Sequence, residues 1–463
     1  MFQNYNQKNK KMLHKPLKES ISLHPFYNGK IQIMSKCCIR NFDDFAIWYT
    51  PGVAEPCKII SKNKDAVFEN TNKGNTIAII SDGSRVLGLG DIGPEASLPA
   101  MEGKALLFKF LGGIDAYPLC LRSKKIYDII NVVKCIEPSF SGINLEDIAT
   151  PKAFFIMDKL NREANIPIWH DDQQGTATIT IAGIINALKI VNKKIENIKI
   201  TFIGAGAANF ATYNLLLKIG AKKENIIFCD SKGILNLNRK DLQINRYDNP
   251  FKWSLCINTN IEQKKGSKKQ AMKDSDIVIA ASKPGPGTLK SEYVKSMSSD
   301  AIVFALANPT PEIWPWQAYN AGAKIVATGR SDFPNQINNS LVFPGVFRGL
   351  LDVRATKITD EMCIAAATEL AKIAEENDIT PEYIIPKMDE WEIYPREAVT
   401  VGIKAINQGF AKQKLSWQEL VHKSYSTINK ARNETLMLMK KGFIASPPNN
   451  KKIIKKNEIF ENR

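Results

Sequence analysis

The chain has 463 residues, 44% of them hydrophobic, and a formal net charge of +16. This length and apolar content support a large core and two or three domains, while the longest apolar run, "AIVFALA", falls far short of a bilayer span. The 8 cysteines include no C-x-x-C pair. With no secretory signal in view, they read as reduced, buried thiols of a cytoplasmic protein rather than a disulfide framework. An organelle matrix is not excluded, because no acid precedes Glu19, although arginine is absent there too.

In chain order, "NGKIQIM" predicts a first strand and "NTIAIIS" a clearer one ending near Ser81. A glycine-rich stretch follows, then a helix with Met101, Ala105, Phe108 and Leu111 on one face, and "DAYPLCL" as an extended piece. Pro151 opens a helix, Ile166 to His170 is a short strand, and a long helix runs from about Gly175 to Val191. "IKITFI", "NIIFCD", "SDIVIAAS", "DAIVFALANP" and "AKIVAT" are strands separated by helical segments. "ITDEMCIAAATELAKIAEE" is a late amphipathic helix. Strands alternating with helices give an α/β fold of parallel βαβ units. The expected division is a substrate-side α/β domain over 25–170 and a Rossmann-like, doubly wound parallel sheet over 171–435. Basic, solvated tails cover 1–24 and 436–463. Much of the positive charge lies in those tails. No zinc-finger, RNA-recognition or basic-zipper pattern accompanies it, so no specific nucleic-acid partner is expected, and no membrane.

Two segments carry glycines at dinucleotide-binding spacing. "VLGLGDIGPEASLPAMEGK" has the full G-x-G-x-x-G as Gly88, Gly90 and Gly93. "ITFIGAGAAN" has only Gly204 and Gly206, with Asn209 in the third place. Context reverses their ranking. A strand precedes the second, a helix beginning near Ala207 follows, and the next strand ends on Asp230, where a ribose hydroxyl would be met. Helix N-terminal N–H groups there favour a pyrophosphate. The first is followed at once by Pro94, and its next strand ends without an acid. It reads either as a packing turn or as a loop setting Arg85 and Lys104 beside a small acid.

"NLEDIA" sets Glu146 beside Asp147, and "IWHDDQQG" sets Asp171 beside Asp172 at a strand end. Clustered carboxylates suit Mg²⁺ or Mn²⁺. The alternatives are helix capping by Asp172 and a solvated surface pair at Glu146–Asp147. Tyr49, before a Thr-Pro-Gly turn, is a packing aromatic or a proton donor. Asn308 lies at a strand's C-terminal end, where α/β sheets bind ligands, and Asn338 and Asn339 sit in a loop.

"WYTPGVAEPC", "SDGSRVLGLGDIGPEASLPAMEGKALLFKFLGGIDAYP", "INLEDIATP", "HDDQQGTA", "GAGAAN", "ALANPTPE" and "NNSLVFPGVFRG" resemble, in this order, the malic enzyme family in its shorter microbial form. The likeness runs from about residue 25 to residue 415. It implies oxidative decarboxylation of L-malate to pyruvate and CO₂, with NAD⁺ or NADP⁺ reduced and a divalent metal required. It implies Tyr49 as general acid, Lys104 as general base supported by Asp171, and Arg85 on a malate carboxylate. Glu146, Asp147 and Asp172 become metal ligands, and Asn308 and Asn339 substrate-binding amides. Gly204, Gly206, Ala207, Asp230 and Asn308 fall on the cofactor. Asp230 leans towards NAD⁺, since a carboxylate repels a 2′-phosphate, with Lys232 close by. Lys104 needs a lowered pKa for its role, and a homodimer is implied. Two other readings stand beside this one: a malolactic-type enzyme without net reduction, and a basic NAD-sensing or nucleic-acid-binding protein with a dead site.

Overall fold

The computed structural model describes residues 16–448; the basic termini beyond them lie outside the described residues. Four strands build the first sheet: β1 (Thr76–Ser81), β2 (Asp115–Cys120), β3 (Ile143–Leu145) and β4 (Ile168–His170). They are parallel in the order β2-β1-β3-β4. The run "TIAIIS" is buried along its whole length, as a strand covered on both faces requires. The second sheet is β5 (Ile200–Ile203), β6 (Ile226–Asp230), β7 (Gly233–Ile234), β8 (Ile277–Ala280), β9 (Ala301–Ala305) and β10 (Ala323–Thr328). Its order is β10-β9-β8-β5-β6-β7, parallel except for the short β7.

Helix α1 (Pro94–Gly112) starts on a proline, whose missing N–H costs nothing at a helix start, and ends on Gly113 at φ +65°. Its buried stripe holds Met101, Lys104, Ala105, Phe108 and Leu111. The stripe seats a lysine among apolar side chains. Helix α2 (Lys152–Glu163) follows Pro151. After β4 the backbone makes one wide turn, Asp171–Gly175, before α3 (Thr176–Ile190), and α4 (Ala207–Lys218) follows Gly206. Such wide turns cluster at functional sites.

The last helices are α5 (Phe343–Asp352), α6 (Asp360–Glu375), α7 (Ile393–Asn407) and α8 (Trp417–Lys440). They bring the chain back to the first sheet. Phe343 and Phe347 pack on Phe108 of α1 with ring centroids 4.6 and 5.3 Å apart. One apolar core therefore runs from Ile77 and Phe108 through α3 to Phe202 and Phe304 of the second sheet. Among the described residues no helix is long and apolar enough to cross a membrane.

Two expectations need correcting. Residues 28–34 form no strand. They find no sheet edge to pair with, and Ile33 stands 84% exposed. The thiols are free, but Cys37, Cys38, Cys57 and Cys135 are exposed, and only Cys229, Cys256 and Cys363 are fully buried. The first three of the exposed set lie on a segment, 31–59, that also exposes Ile33, Phe42, Phe45, Ile47, Trp48 and Tyr49.

Candidate functional site

Lys104 projects from the buried stripe of α1 towards the C-terminal ends of β3 and β4. Its Nζ donates to Glu146 Oε2 at 2.6 Å and to Asp171 Oδ2 at 2.5 Å. The ring of Phe343 covers it, with the ammonium 4.5 Å from the centroid. Asp171 is fixed at both oxygens, since Trp169 Nε1 donates to its Oδ1 at 2.7 Å. Asn144 Nδ2 donates to Glu146 Oε2 at 3.0 Å. Gly175 is required here, because a Cβ would come within 2.1 Å of Asp171 Oδ1. The same built Cβ would lie 3.0 Å from Cβ of Asn339, which places Asn339 against this turn.

Beside the lysine, Glu146, Asp147 and Asp172 each offer an oxygen, all within 4.8 Å of one another. Asp172 does not cap α3: its Oδ2 accepts from the Asp147 backbone N–H at 3.0 Å, and Gly175 precedes the helix. Asp147 holds φ +54°, a left-handed conformation that turns its carboxylate to the cluster. Nor is Glu146–Asp147 a solvated pair, for both are buried. Burial and the neighbouring carboxylates push the Asp147 carboxyl up to about 7 and Glu146 well above the usual carboxylate range. Three crowded carboxylates with oxygen donors alone fit a hard divalent cation, whose charge removes that repulsion.

The Lys104 pKa moves against expectation. Burial alone would lower it, but the attraction of Asp171 and Glu146, with their hydrogen bonds, outweighs burial and holds it above the ordinary lysine value. The lysine is an ammonium while both carboxylates face it.

The first glycine stretch reaches this cluster from one side and the second sheet from the other. Arg85 N–H donates to Asp147 O at 3.0 Å; the Arg85 side chain is exposed and makes no ion pair among the described residues. A Cβ on Gly88 would meet Asn308 O at 2.7 Å and the ring of Pro309 at 3.0 Å. The loop thus rests on the segment beyond β9. Asn308 lies there, its amide over Gly329. The second stretch has open space instead. Gly204 takes φ +103° and passes Ala281 O too closely for a side chain, whereas a Cβ on Gly206 would touch nothing within 4 Å. Asn209 Nδ2 donates to Ile203 O at 3.1 Å and Gly204 O at 2.9 Å, pinning the turn that a third glycine would leave free. Asp230 ends β6 beside this turn, where Gly204 N–H donates to Cys229 O at 2.8 Å.

Tyr49 is not brought to the cluster within the chain. It is 72% exposed, and among the described residues its side chain makes no hydrogen bond. Several residues at the site were not singled out from sequence. Trp169 and Asn144 lie inside "IWHDD" and "INLED" and alternate with the acids, which is the signal that marks them. Phe343 and Glu312 gave no comparable signal. Glu312 is buried and accepts from Ser282 N–H at 2.8 Å, Ser282 Oγ–H at 3.1 Å and Ala307 N–H at 3.0 Å. It ties the loop beyond β8 to the loop beyond β9. Burial, partly offset by these bonds, pushes its carboxyl up to about 7.

A parallel sheet with an open glycine turn, joined to a second α/β unit bearing a buried lysine and three carboxylates, defines a two-domain dinucleotide-binding protein with a Rossmann-like half. Comparison with known proteins makes the class specific. Residues 173–406 match the malic enzyme NAD-binding domain, and residues 28–126 match the malic enzyme N-terminal domain. The bifunctional malic/malolactic enzyme of Bacillus subtilis is 45% identical over 406 residues, covering 88% of this chain and 97% of that protein. The NAD-dependent malic enzyme of Geobacillus stearothermophilus is 46% identical over 385 residues, covering 83% and 78%. The crystal structure of Entamoeba histolytica malic enzyme superimposes with a TM-score of 0.91 at 45% identity, covering 95% of this chain and 91% of that one. The chain belongs to the malic enzyme family.

Proposed function

We propose that the protein converts L-malate to pyruvate and CO₂ while reducing NAD(P)⁺, with a divalent cation at Glu146, Asp147 and Asp172. The observation that carries this reading is the buried Lys104, held by Glu146 and Asp171 at the edge of a three-carboxylate cluster. Lys104, once neutral, takes the C2 hydroxyl proton of malate; a dinucleotide held at the Gly204–Gly206 turn would supply the hydride acceptor. Asp171, locked by Trp169, keeps the amine aimed. Glu146, Asp147 and Asp172 would hold the cation, which would supply Lewis-acid chemistry and offset the negative charge that otherwise keeps Lys104 protonated. Arg85, exposed beside the cluster and without an ion pair among the described residues, takes a malate carboxylate, and Asn308 and Asn339 bracket the substrate. Tyr49 returns a proton to C3 after CO₂ leaves.

The working state is a homodimer in which a second copy covers the apolar segment that carries Tyr49. The exposed row from Ile33 to Tyr49 supports this, since apolar patches of that kind on soluble proteins mark contact surfaces. Mixing Tyr49→Phe with Lys104→Ala protein tests whether sites are shared: regained activity in the mixture supports sharing, and none argues against it. A malolactic outcome is kept as the second reading because the Bacillus subtilis relative carries that name. Absorbance of reduced nicotinamide, followed with malate and Mn²⁺, separates the two. Pyruvate formed in step with reduced cofactor supports the first. Lactate with no reduced cofactor supports the second, and no turnover of malate defeats both.

A further inference from the structure

The ribose end of the cofactor site differs from what a lone acid at a strand end suggests. A carboxylate offers about four lone-pair positions. At Asp230 all are occupied from within the chain. Oδ1 accepts from Arg239 Nη1 at 2.6 Å and from the Lys232 backbone N–H at 2.8 Å. Oδ2 accepts from Arg239 Nη2 at 3.0 Å and Lys252 Nζ at 2.6 Å. Arg239 continues to Asp241, at 2.7 Å from Nη2, and Lys232 Nζ closes on Asp241 at 3.3 Å. The result is a chain of alternating charge, Lys252–Asp230–Arg239–Asp241–Lys232, with a lysine at each end. Three cations face two carboxylates. The terminal lysines keep spare N–H groups, and Lys232 is 67% exposed.

A ribose 2′-hydroxyl is recognised through an acceptor, whereas a 2′-phosphate needs donors and positive charge. Asp230 has no acceptor position left unless Arg239 or Lys252 is displaced. The network offers donors instead. We infer that the adenosine end of this site takes a 2′-phosphate, so that NADP⁺ is bound in preference to NAD⁺, and that Lys252 and Lys232 determine the preference. This rests on the malate-oxidising reading only in requiring a dinucleotide at the Gly204–Gly206 turn. Lys252 acts twice, as a donor to the phosphate and as the partner that withholds Asp230 from a hydroxyl.

Calorimetric titration of the full chain without malate tests it, using NAD⁺, NADP⁺, AMP and adenosine 2′,5′-bisphosphate. The expected result is binding about tenfold tighter for each 2′-phosphorylated ligand than for its counterpart. Lys252→Gln should lower NADP⁺ affinity about tenfold and raise that for NAD⁺, because one Asp230 position is released. Lys232→Gln, at an exposed position that leaves the fold intact, should lower NADP⁺ affinity about threefold and spare NAD⁺. NAD⁺ binding more tightly than NADP⁺ to the unaltered protein overturns the inference and leaves the proposed reaction standing. So does an equal loss of both cofactors in Lys232→Gln. Failure of both dinucleotides to bind overturns the proposed reaction as well.

Discussion

The two glycine turns make opposite use of the same residue. At Gly88 the space that a side chain would fill is taken by the chain itself, through Asn308 O and Pro309. At Gly206 it is empty to beyond 4 Å. A glycine permits close approach of something. In the first turn that something is another loop of the protein, the segment beyond β9. In the second the space is open and lies at a helix N-terminus, where N–H groups favour an anion. The complete-looking motif is therefore a joint, and the incomplete one is the cradle we propose for the dinucleotide.

The largest test of this contrast removes the chemistry without touching the cradle. Lys104→Ala should lower the rate of malate oxidation by about 10²–10⁴-fold, the range for loss of a positioned acid–base group. Dinucleotide affinity, read by calorimetry, should not move. A variant that still turns over at the parent rate removes Lys104 from its role. The converse change is Gly206→Asp. A carboxylate at the start of α4 opposes the pyrophosphate, and dinucleotide affinity should fall by about two orders of magnitude, some 3 kcal/mol. The melting temperature should stay within a few degrees, since nothing in the chain is displaced. A large loss of stability would show that Gly206 is also a joint.

A smaller effect comes from the crowded carboxylates. The folded pKa of Asp147, about 7, lies above the ordinary value of 3.8, so the folded chain keeps a proton that the unfolded chain has lost. The stabilisation it gives is complete below about pH 4 and disappears as pH rises through 7; the upward shift of Glu146 acts in the same sense. Chelator-treated protein should melt several degrees lower at pH 8 than at pH 5.5. Mn²⁺ should cancel that fall at pH 8, adding about 2.7 kcal/mol when present at a hundred times its dissociation constant. A melting temperature that ignores both pH and Mn²⁺ would detach the cluster from metal binding. Gly88→Ala should cost about 1–3 kcal/mol of stability by overpacking against Asn308 and raise the malate KM severalfold. Least of all, Asn209→Ala should weaken dinucleotide binding only a few-fold, through loss of two hydrogen bonds to turn carbonyls.

Much of this was legible in the sequence because it is local. The strand ending at Asp230, the paired acids of "NLED" and "HDD", and the helix that follows Gly206 are all set by short-range pattern and spacing. What escaped is set by partners far along the chain. Lys104 sits on a helical stripe with Met101 and Phe108, yet no periodicity reveals that two carboxylates bind it and raise its pKa. Phe343 reaches the lysine only because the last helices return to α1. The strand expected over 28–34 failed for a related reason: alternation of apolar residues needs a neighbouring strand to become a sheet, and none is there. Lys252 lies 22 positions from Asp230, and only the three-dimensional arrangement shows that it occupies that carboxylate.

Glu312 has a thermodynamic consequence. One buried side chain fastens the loop beyond β8 to the loop beyond β9, and Gly88 leans on the latter. Under the proposed function, ordering of either loop by one ligand should be felt at the seat of the other. Whatever factor by which dinucleotide tightens malate, malate must return to dinucleotide, because the two free energies close one cycle. Loosening that brace should lower the shared factor towards unity for both ligands together.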